Sequence, residues 1–472
     1  MVFSSTVFLF IFLLVVFSAN LLLVNIKLKN ALLLLASLLF YAWGEPFFVL
    51  VMIFSVFVNY LLAMLIHKNE RNKKLYLILT VVFNIGMLAV FKYAAFFMTS
   101  LNSVTGLGLF VPHIALPVGI SFFTFQAMSY TIDVYRKTTK VQPDFFKVLL
   151  YVSLFPQLIA GPIVIYHDVE EQINERSVTP ERVANGIRRF IVGLSKKILI
   201  ANAMGELADS IFKLSSSELN ISIAWIGAIA YCFQIYFDFS GYSDMAIGLG
   251  HMFGFDFKEN FNYPYISRSI KEFWRRWHIS LSSWFRDYLY IPLGGNRKGI
   301  VRQGINMGIV FLCTGLWHGS EWTFVIWGIF HGVFLILETY KVIQPDKWPK
   351  FFRHLYSLLV VIIGFTIFRA ASMTQAFDFI GKMFSGFTFT ASHTATLFEL
   401  LSTSKIVTMV IAIFASMPTL NLMKNPGAKL VKSDRLFKVL QTGSYAVSIV
   451  LFLLCIFTLS ASTFNPFIYF RF

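Results

Sequence analysis

The chain repeatedly stays apolar for about as long as a bilayer is thick. A transmembrane helix needs roughly 20 apolar residues to cross about 30 Å of hydrocarbon. The stretches 6–25, 46–66, 76–98, 146–164, 221–237, 303–318, 321–340, 355–369, 404–422 and 440–462 qualify or come close. Shorter stretches at 31–43 and 114–132 fit as spans that tilt or lie inside a bundle. Of the 472 residues, 57% are hydrophobic and only 14% charged, where soluble domains carry about 25% charged residues. These values exclude a water-soluble globular enzyme, a disordered chain and a secreted disulfide scaffold. Cys232, Cys313 and Cys455 lie far apart in apolar runs, so neither a disulfide framework nor a Cys-type zinc site is supported. The chain has no HExxH, EF-hand, P-loop or GxSxG pattern, and no His/Asp/Glu spacing argues for a metal.

The formal net charge is +16, and in so apolar a chain that excess belongs in loops on one side of a bilayer. Nucleic-acid binding is a poor reading, because the basic residues never gather into a soluble domain. Lys27 and Lys29 follow the first span, and Lys68, Arg71, Lys73 and Lys74 crowd the loop at 67–74. The intervening segment 43–46 carries only Glu45, and 99–113 carries no charge. This alternation predicts both termini outside, with the basic loop 424–438 cytoplasmic. The first apolar run reads as a retained span, since no Lys or Arg precedes it and no small-residue cleavage site follows. No soluble domain can be cut out. One integral membrane domain over 1–472 is expected, with N-terminal spans (1–166), a polar middle (167–340) and C-terminal spans (341–472).

The middle breaks the spanning pattern. Residues 254–302 hold nine basic and four acidic residues, interleaved with Phe273, Trp274, Trp277, Trp284 and Tyr288. Such a segment is too charged to span lipid and too apolar to float freely. It predicts short amphipathic helices at the cytoplasmic interface or folded back into the bundle. Upstream, Asp238 and Asp244 interrupt an apolar run beside Gly241. An ionisable group at mid-bilayer costs about 2.5–3.5 kcal/mol on insertion scales, so such groups face a cavity or a partner. The plainer reading is two structural carboxylates holding an Arg from the interfacial segment; the functional one is substrate binding.

Three of the nine histidines stand apart from loops and span ends: His278 in the interfacial segment, His318 at the junction of two strong spans, and His331 inside the second. An imidazole in an apolar site is kept neutral by desolvation and can take a proton from a hydroxyl, which as general base catalysis is worth about 10²–10⁴ in rate. From spacing alone, His318 is either such a base or a packed, satisfied side chain. Glu321 either orients it or marks the outer lip of the turn. For His331, helix–helix hydrogen bonding is the plainer job.

The run Phe237-Asp238-Phe239-Ser240-Gly241-Tyr242-Ser243-Asp244-Met245-Ala246-Ile247-Gly248 resembles the membrane-bound O-acyltransferase (MBOAT) superfamily. Leu116-Pro117-Val118-Gly119-Ile120-Ser121-Phe122, Asn262-Tyr263-Pro264-Tyr265, Phe273-Trp274-Arg275-Arg276-Trp277-His278-Ile279-Ser280 and Gly315-Leu316-Trp317-His318-Gly319 extend the likeness. The chain is most similar to the bacterial branch that acylates alginate, peptidoglycan or teichoic acid. Its start, Met1-Val2-Phe3-Ser4-Ser5, and its end, Asn465-Pro466-Phe467-Ile468-Tyr469-Phe470-Arg471-Phe472, look like the alginate type.

The resemblance implies an all-α polytopic membrane protein: a ring of about 10–12 transmembrane helices with interfacial and re-entrant helices, and a thinned centre with funnels on both faces. It implies His318 as the catalytic histidine, His278 as its companion on the cytoplasmic side, and Tyr469 as an acyl relay. On chemistry alone Tyr469 is an interfacial aromatic. Arg275, Arg276, Trp277 and Trp317, with Asp238 and Asp244, are the candidate substrate-binding residues. The basic ones fit donor phosphates through charge-assisted hydrogen bonds, or equally anionic lipid. No bound cofactor is expected. The donor is acetyl-CoA or another acyl thioester, the acceptor a polysaccharide, and an exported esterase-fold acetyltransferase is the expected partner, in a bacterial inner membrane. The rival readings are D-alanyl transfer to teichoic acid and transport of a glycan or acyl donor without bond chemistry.

Overall fold

A helix surrounded by lipid turns its apolar side chains outward and its small or polar ones inward. The computed structural model describes residues 1–159, 161–418 and 434–461. Among these every regular element is helical: α1 (Phe8–Leu22), α2 (Ile26–Ala42), α3 (Phe48–Lys68), α4 (Lys73–Thr105), α5 (Ile120–Arg136), α6 (Phe145–Ser153), α7 (Tyr166–Asn174), α8 (Pro180–Ser195), α9 (Asn202–Phe212) and α10 (Ile221–Phe253). After them come α11 (Ile270–Arg276), α12 (Ile279–Phe285), α13 (Ile300–His318), α14 (Trp322–Thr339), α15 (Lys350–Arg369), α16 (Met373–Ser385), α17 (Ala391–Leu400), α18 (Thr403–Ala415) and α19 (Asp434–Ala461). The all-helical, polytopic membrane architecture expected from the sequence is the one observed.

Seven of the described helices are long and apolar enough to cross a membrane, and eight if α17 and α18, bent by 72° at their junction, form one span. The other hydropathy-predicted stretches form shorter or broken helices. The stretch 146–164 is helical only as α6, because Pro156 and Pro162 stop it; proline lacks the amide hydrogen and restricts the residue before it. The basic loop expected at 424–438 lies largely outside the described residues.

The chain divides into two compact units. The first comprises Met1–Phe190 and Met245–Lys258, the second Ile191–Asp244 and Glu259–Phe472. In the first unit, α3 exposes Leu50, Phe54, Phe57, Leu61 and Leu65 while burying Ser55 and Asn59. Asn59 and Asn84 exchange amide hydrogen bonds of 3.1 and 2.8 Å between α3 and α4, the polar fastening that helices use where water is absent. Helix α5 is buried from Ile120 to Val134, so it is walled by protein and has no need to be apolar throughout.

The second unit has its own core, in which Phe237, Phe273, Trp277, Phe311, Trp327 and Phe365 are buried together. Helices α13 and α14 form a tight hairpin within it. A Cβ on Gly315 would run into the carbonyl oxygen of Phe324, and one on Gly328 into that of Phe311. Glycine at both positions lets the two backbones touch.

Candidate active site

His318 is the last residue of α13, and its position follows from that hairpin. Gly319 lies directly against the Phe324 ring, where a Cβ has no room. The chain therefore turns tightly into α14 and leaves the imidazole against aromatic walls. Its ring centroid is 4.9 Å from Trp317, 5.0 Å from Trp327 and 5.3 Å from Phe368. His318 is only 4% exposed. Glu321 is exposed at the N-cap of α14.

His278 arrives from the interfacial segment, which the structure folds as α11 and α12. Two caps start α11. The Ser269 hydroxyl accepts from the Glu272 amide at 3.0 Å. The Glu338 carboxylate, at the far end of α14, accepts from the Ile270 and Lys271 amides at 2.7 and 3.0 Å and from the Tyr356 hydroxyl at 3.2 Å. An acceptor charge at a helix N-terminus is favourable electrostatically as well. Trp277 is buried and stacks on Phe273, with Phe365 5.0 Å away. His278 then takes a left-handed backbone, φ 44° and ψ 55°, at the bend into α12.

That bend drives the His278 ring fully inside, at 0% exposure. It packs edge-on to Phe239 at 4.6 Å, with Trp317 at 5.6 Å. Burial holds its pKa down to about 3, so the ring is neutral. Its Nδ1 lies 3.3 Å from Asn260 Oδ1. The two imidazoles, far apart in sequence, come to a centroid separation of 6.3 Å. His331 sits beyond Trp327, 5.2 Å from it, against Gly364.

Asp238 and Asp244 are both buried on α10, and each meets a lysine. Lys196 Nζ reaches Asp244 Oδ2 at 2.7 Å, and Lys197 Nζ reaches Asp238 Oδ1 at 2.9 Å. The pairing is with these upstream cations, where the sequence had suggested an arginine of the interfacial segment. Two local features allow it. Lys196 and Lys197 open a π-helical turn, Lys196–Ala201, and π-turns mark functional or strained places in helices. Gly241 admits the neighbouring backbone, since a Cβ there would lie 2.7 Å from Gly193 O. Beside Lys196 and Asp244 lies a cavity of about 20 Å³, lined also by Tyr236, Ser240, Glu259 and Asn260, enough for about one water.

Arg276 is bound to Glu272 at 2.9 Å and to the Asn262 carbonyl at 3.0 Å, whereas Arg275 is exposed. Tyr469 lies outside the described residues. No group of His, Cys, Asp or Glu among the described residues could hold a metal ion. Sequence reasoning passed over Lys196, Lys197, Asn260 and Glu338. Two adjacent lysines inside an apolar run are as anomalous as the two aspartates and could have been matched to them. Asn260 and Glu338 carried no such signal.

Residues 34–375 match MBOAT, the membrane-bound O-acyltransferase family. The chain is 41% identical over 504 residues to the probable alginate O-acetylase of Azotobacter vinelandii, covering the whole of both. It is 36% identical to the peptidoglycan O-acetyltransferase of Helicobacter pylori over 81% of this chain and 80% of that one. With the teichoic acid D-alanyltransferase of Bacillus subtilis the identity is 27%, over 53% of this chain and 68% of the relative.

Proposed function

The chain belongs to the membrane-bound O-acyltransferase family, and on that premise we propose that it carries acetyl groups through a bacterial inner membrane for O-acetylation of a polysaccharide outside. It is a multi-pass membrane O-acyltransferase. The observation that carries the reading of the site is the meeting of His278 and His318 in one buried aromatic cluster. The acetyl group comes from a cytoplasmic thioester, acetyl-CoA in the simplest case. Arg275 is the exposed cation at its phosphates, with Arg276, held by Glu272, beside it, while Trp277 is buried against Phe273. Trp317 packs against both histidines.

His318 acts as general base. It takes the proton of the acceptor hydroxyl as the oxygen attacks the thioester carbonyl, and the thiolate leaves toward the donor side. Because His318 is only 4% exposed, the thioester reaches it only when the surrounding rings shift. Asp238 and Asp244 serve this reading by fixing α10 through their lysines. The acceptor is a polysaccharide hydroxyl of alginate or peptidoglycan type, reached directly, through Tyr469, or through an exported esterase-fold partner. Both termini lie outside, in keeping with the basic loops. Alginate-type relatives match end to end and the D-alanyltransferase over about half the chain, which favours acetyl over D-alanyl transfer.

The test is His318→Ala in a reconstituted assay with labelled acetyl-CoA and in cells. The variant is expected to fold and to lose transfer by about 10²–10⁴-fold. Polysaccharide acetylation that persists in cells carrying only this variant would remove His318 as the base. Tyr469→Phe with unchanged product would remove the relay alone.

A further inference from the structure

The buried amide of Asn260 faces one ring nitrogen of His278, at 3.3 Å. Asn260 is fully buried, and its orientation is unambiguous. The backbone N–H of Ser280, which can only donate, points at Asn260 Oδ1 at 3.1 Å. The Ser280 hydroxyl donates to the same oxygen at 2.9 Å. On its other side Asn260 Nδ2 donates to Ser243 Oγ at 3.2 Å. The atom facing His278 Nδ1 is therefore an acceptor with no hydrogen to give. For a hydrogen bond to form across that 3.3 Å contact, His278 Nδ1 has to carry the proton. Among the described residues, His278 Nε2 is buried without a hydrogen-bond partner.

We propose that Asn260 is a positioning residue that locks His278 as the Nδ1–H tautomer, so that Nε2 presents a bare lone pair beside Trp317 and His318. This deepens the acyl-transfer reading and rests on it for its chemical meaning. His278 Nε2 accepts a hydrogen bond or a proton from a substrate O–H or S–H group. It does not donate to a thioester carbonyl, so it is not the oxyanion-stabilising group of the resting enzyme. If a proton passes to Nε2, the substrate heteroatom keeps the electron pair. The resulting imidazolium still donates Nδ1–H to Asn260, whose oxygen stabilises the new charge. Ordering of an imidazole by the partner of its second nitrogen is the general device for fixing a tautomer.

The test uses the full-length protein in nanodiscs, labelled with ¹⁵N-histidine. The His278 resonances are identified by their disappearance in His278→Gln. The wild type is expected to show a protonated Nδ1 and an unprotonated Nε2. Asn260→Ala should populate the opposite tautomer and lower kcat by about 10–100-fold, with KM for the acyl donor little changed. Asn260→Asp keeps an acceptor at Nδ1, and the Ser243 hydroxyl can turn to donate to it. It should keep the Nδ1–H tautomer and recover most of the lost kcat, which a purely structural role for the amide would not produce. A wild-type proton on Nε2, or an unchanged tautomer in a folded Asn260→Ala protein, overturns the proposal. A correct tautomer pattern in a wild-type protein without acyl transfer would instead refute the function and leave this assignment standing.

Discussion

Breaking one of the two buried lysine–aspartate pairs is the most informative perturbation of the framework. Consider Lys196→Met, Asp244→Asn and the double variant. The Lys196 and Asp244 side chains are 9% and 5% exposed, 2.7 Å apart. At an effective dielectric of about 20, two unit charges at that distance attract by about 6 kcal/mol. Desolvation of each ion costs several kcal/mol, so the pair nets little against neutral replacements. Removing only one partner takes away the other's buried counter-charge, and such single losses cost about 3–5 kcal/mol. Each single variant should therefore be strongly destabilised. The double variant should be less destabilised than the sum of the singles by about 1–3 kcal/mol, the usual coupling of contacting groups. The assay is the folded fraction retained in detergent across a denaturant series, read by tryptophan fluorescence and size-exclusion profile. Additive losses would show that the two side chains are not coupled, and single losses below about 1 kcal/mol would show that the charges are not buried as ions.

The remaining predictions concern how the two histidines are held. Gly315→Ala drives a methyl group into Phe324 O; overpacking of this kind costs about 1–3 kcal/mol, and acyl transfer should fall with the shift of His318, measured beside thermal stability. Normal activity in that variant would refute the hairpin argument. Glu338→Ala leaves the Ile270 and Lys271 amides without their acceptor, a loss of about 1–3 kcal/mol. Hydrogen exchange over residues 270–276 should speed up, and unchanged protection would show that the carboxylate does not hold α11.

How much of this was legible in the sequence depends on what surrounds each segment. Helices α3 and α14 expose apolar side chains along one side, so their hydropathy shows in the chain. Helix α5 is walled by protein, and its Ser121, Thr124, Gln126 and Asp133 gave hydropathy little to find. His278 and His318 stood out because the motifs around them resemble those of the family, and the structure brings them together. The aspartates were conspicuous as charges in an apolar run, but their partners depended on a π-turn and on backbone contact at Gly241. Neither is written as a local pattern. Asn260 and Glu338 act across long sequence separations, and each looks like an ordinary polar residue until the fold places it.

Both halves of the pocket hang from one rod. Helix α14 presses its first turns against the glycine face that sets His318, and near its other end Glu338 clasps the arm that carries His278. Eighteen residues of helix make a strut of about 27 Å. A displacement of that strut would move the anchors of both imidazoles together. Their spacing is thereby tied to the length of a single helix.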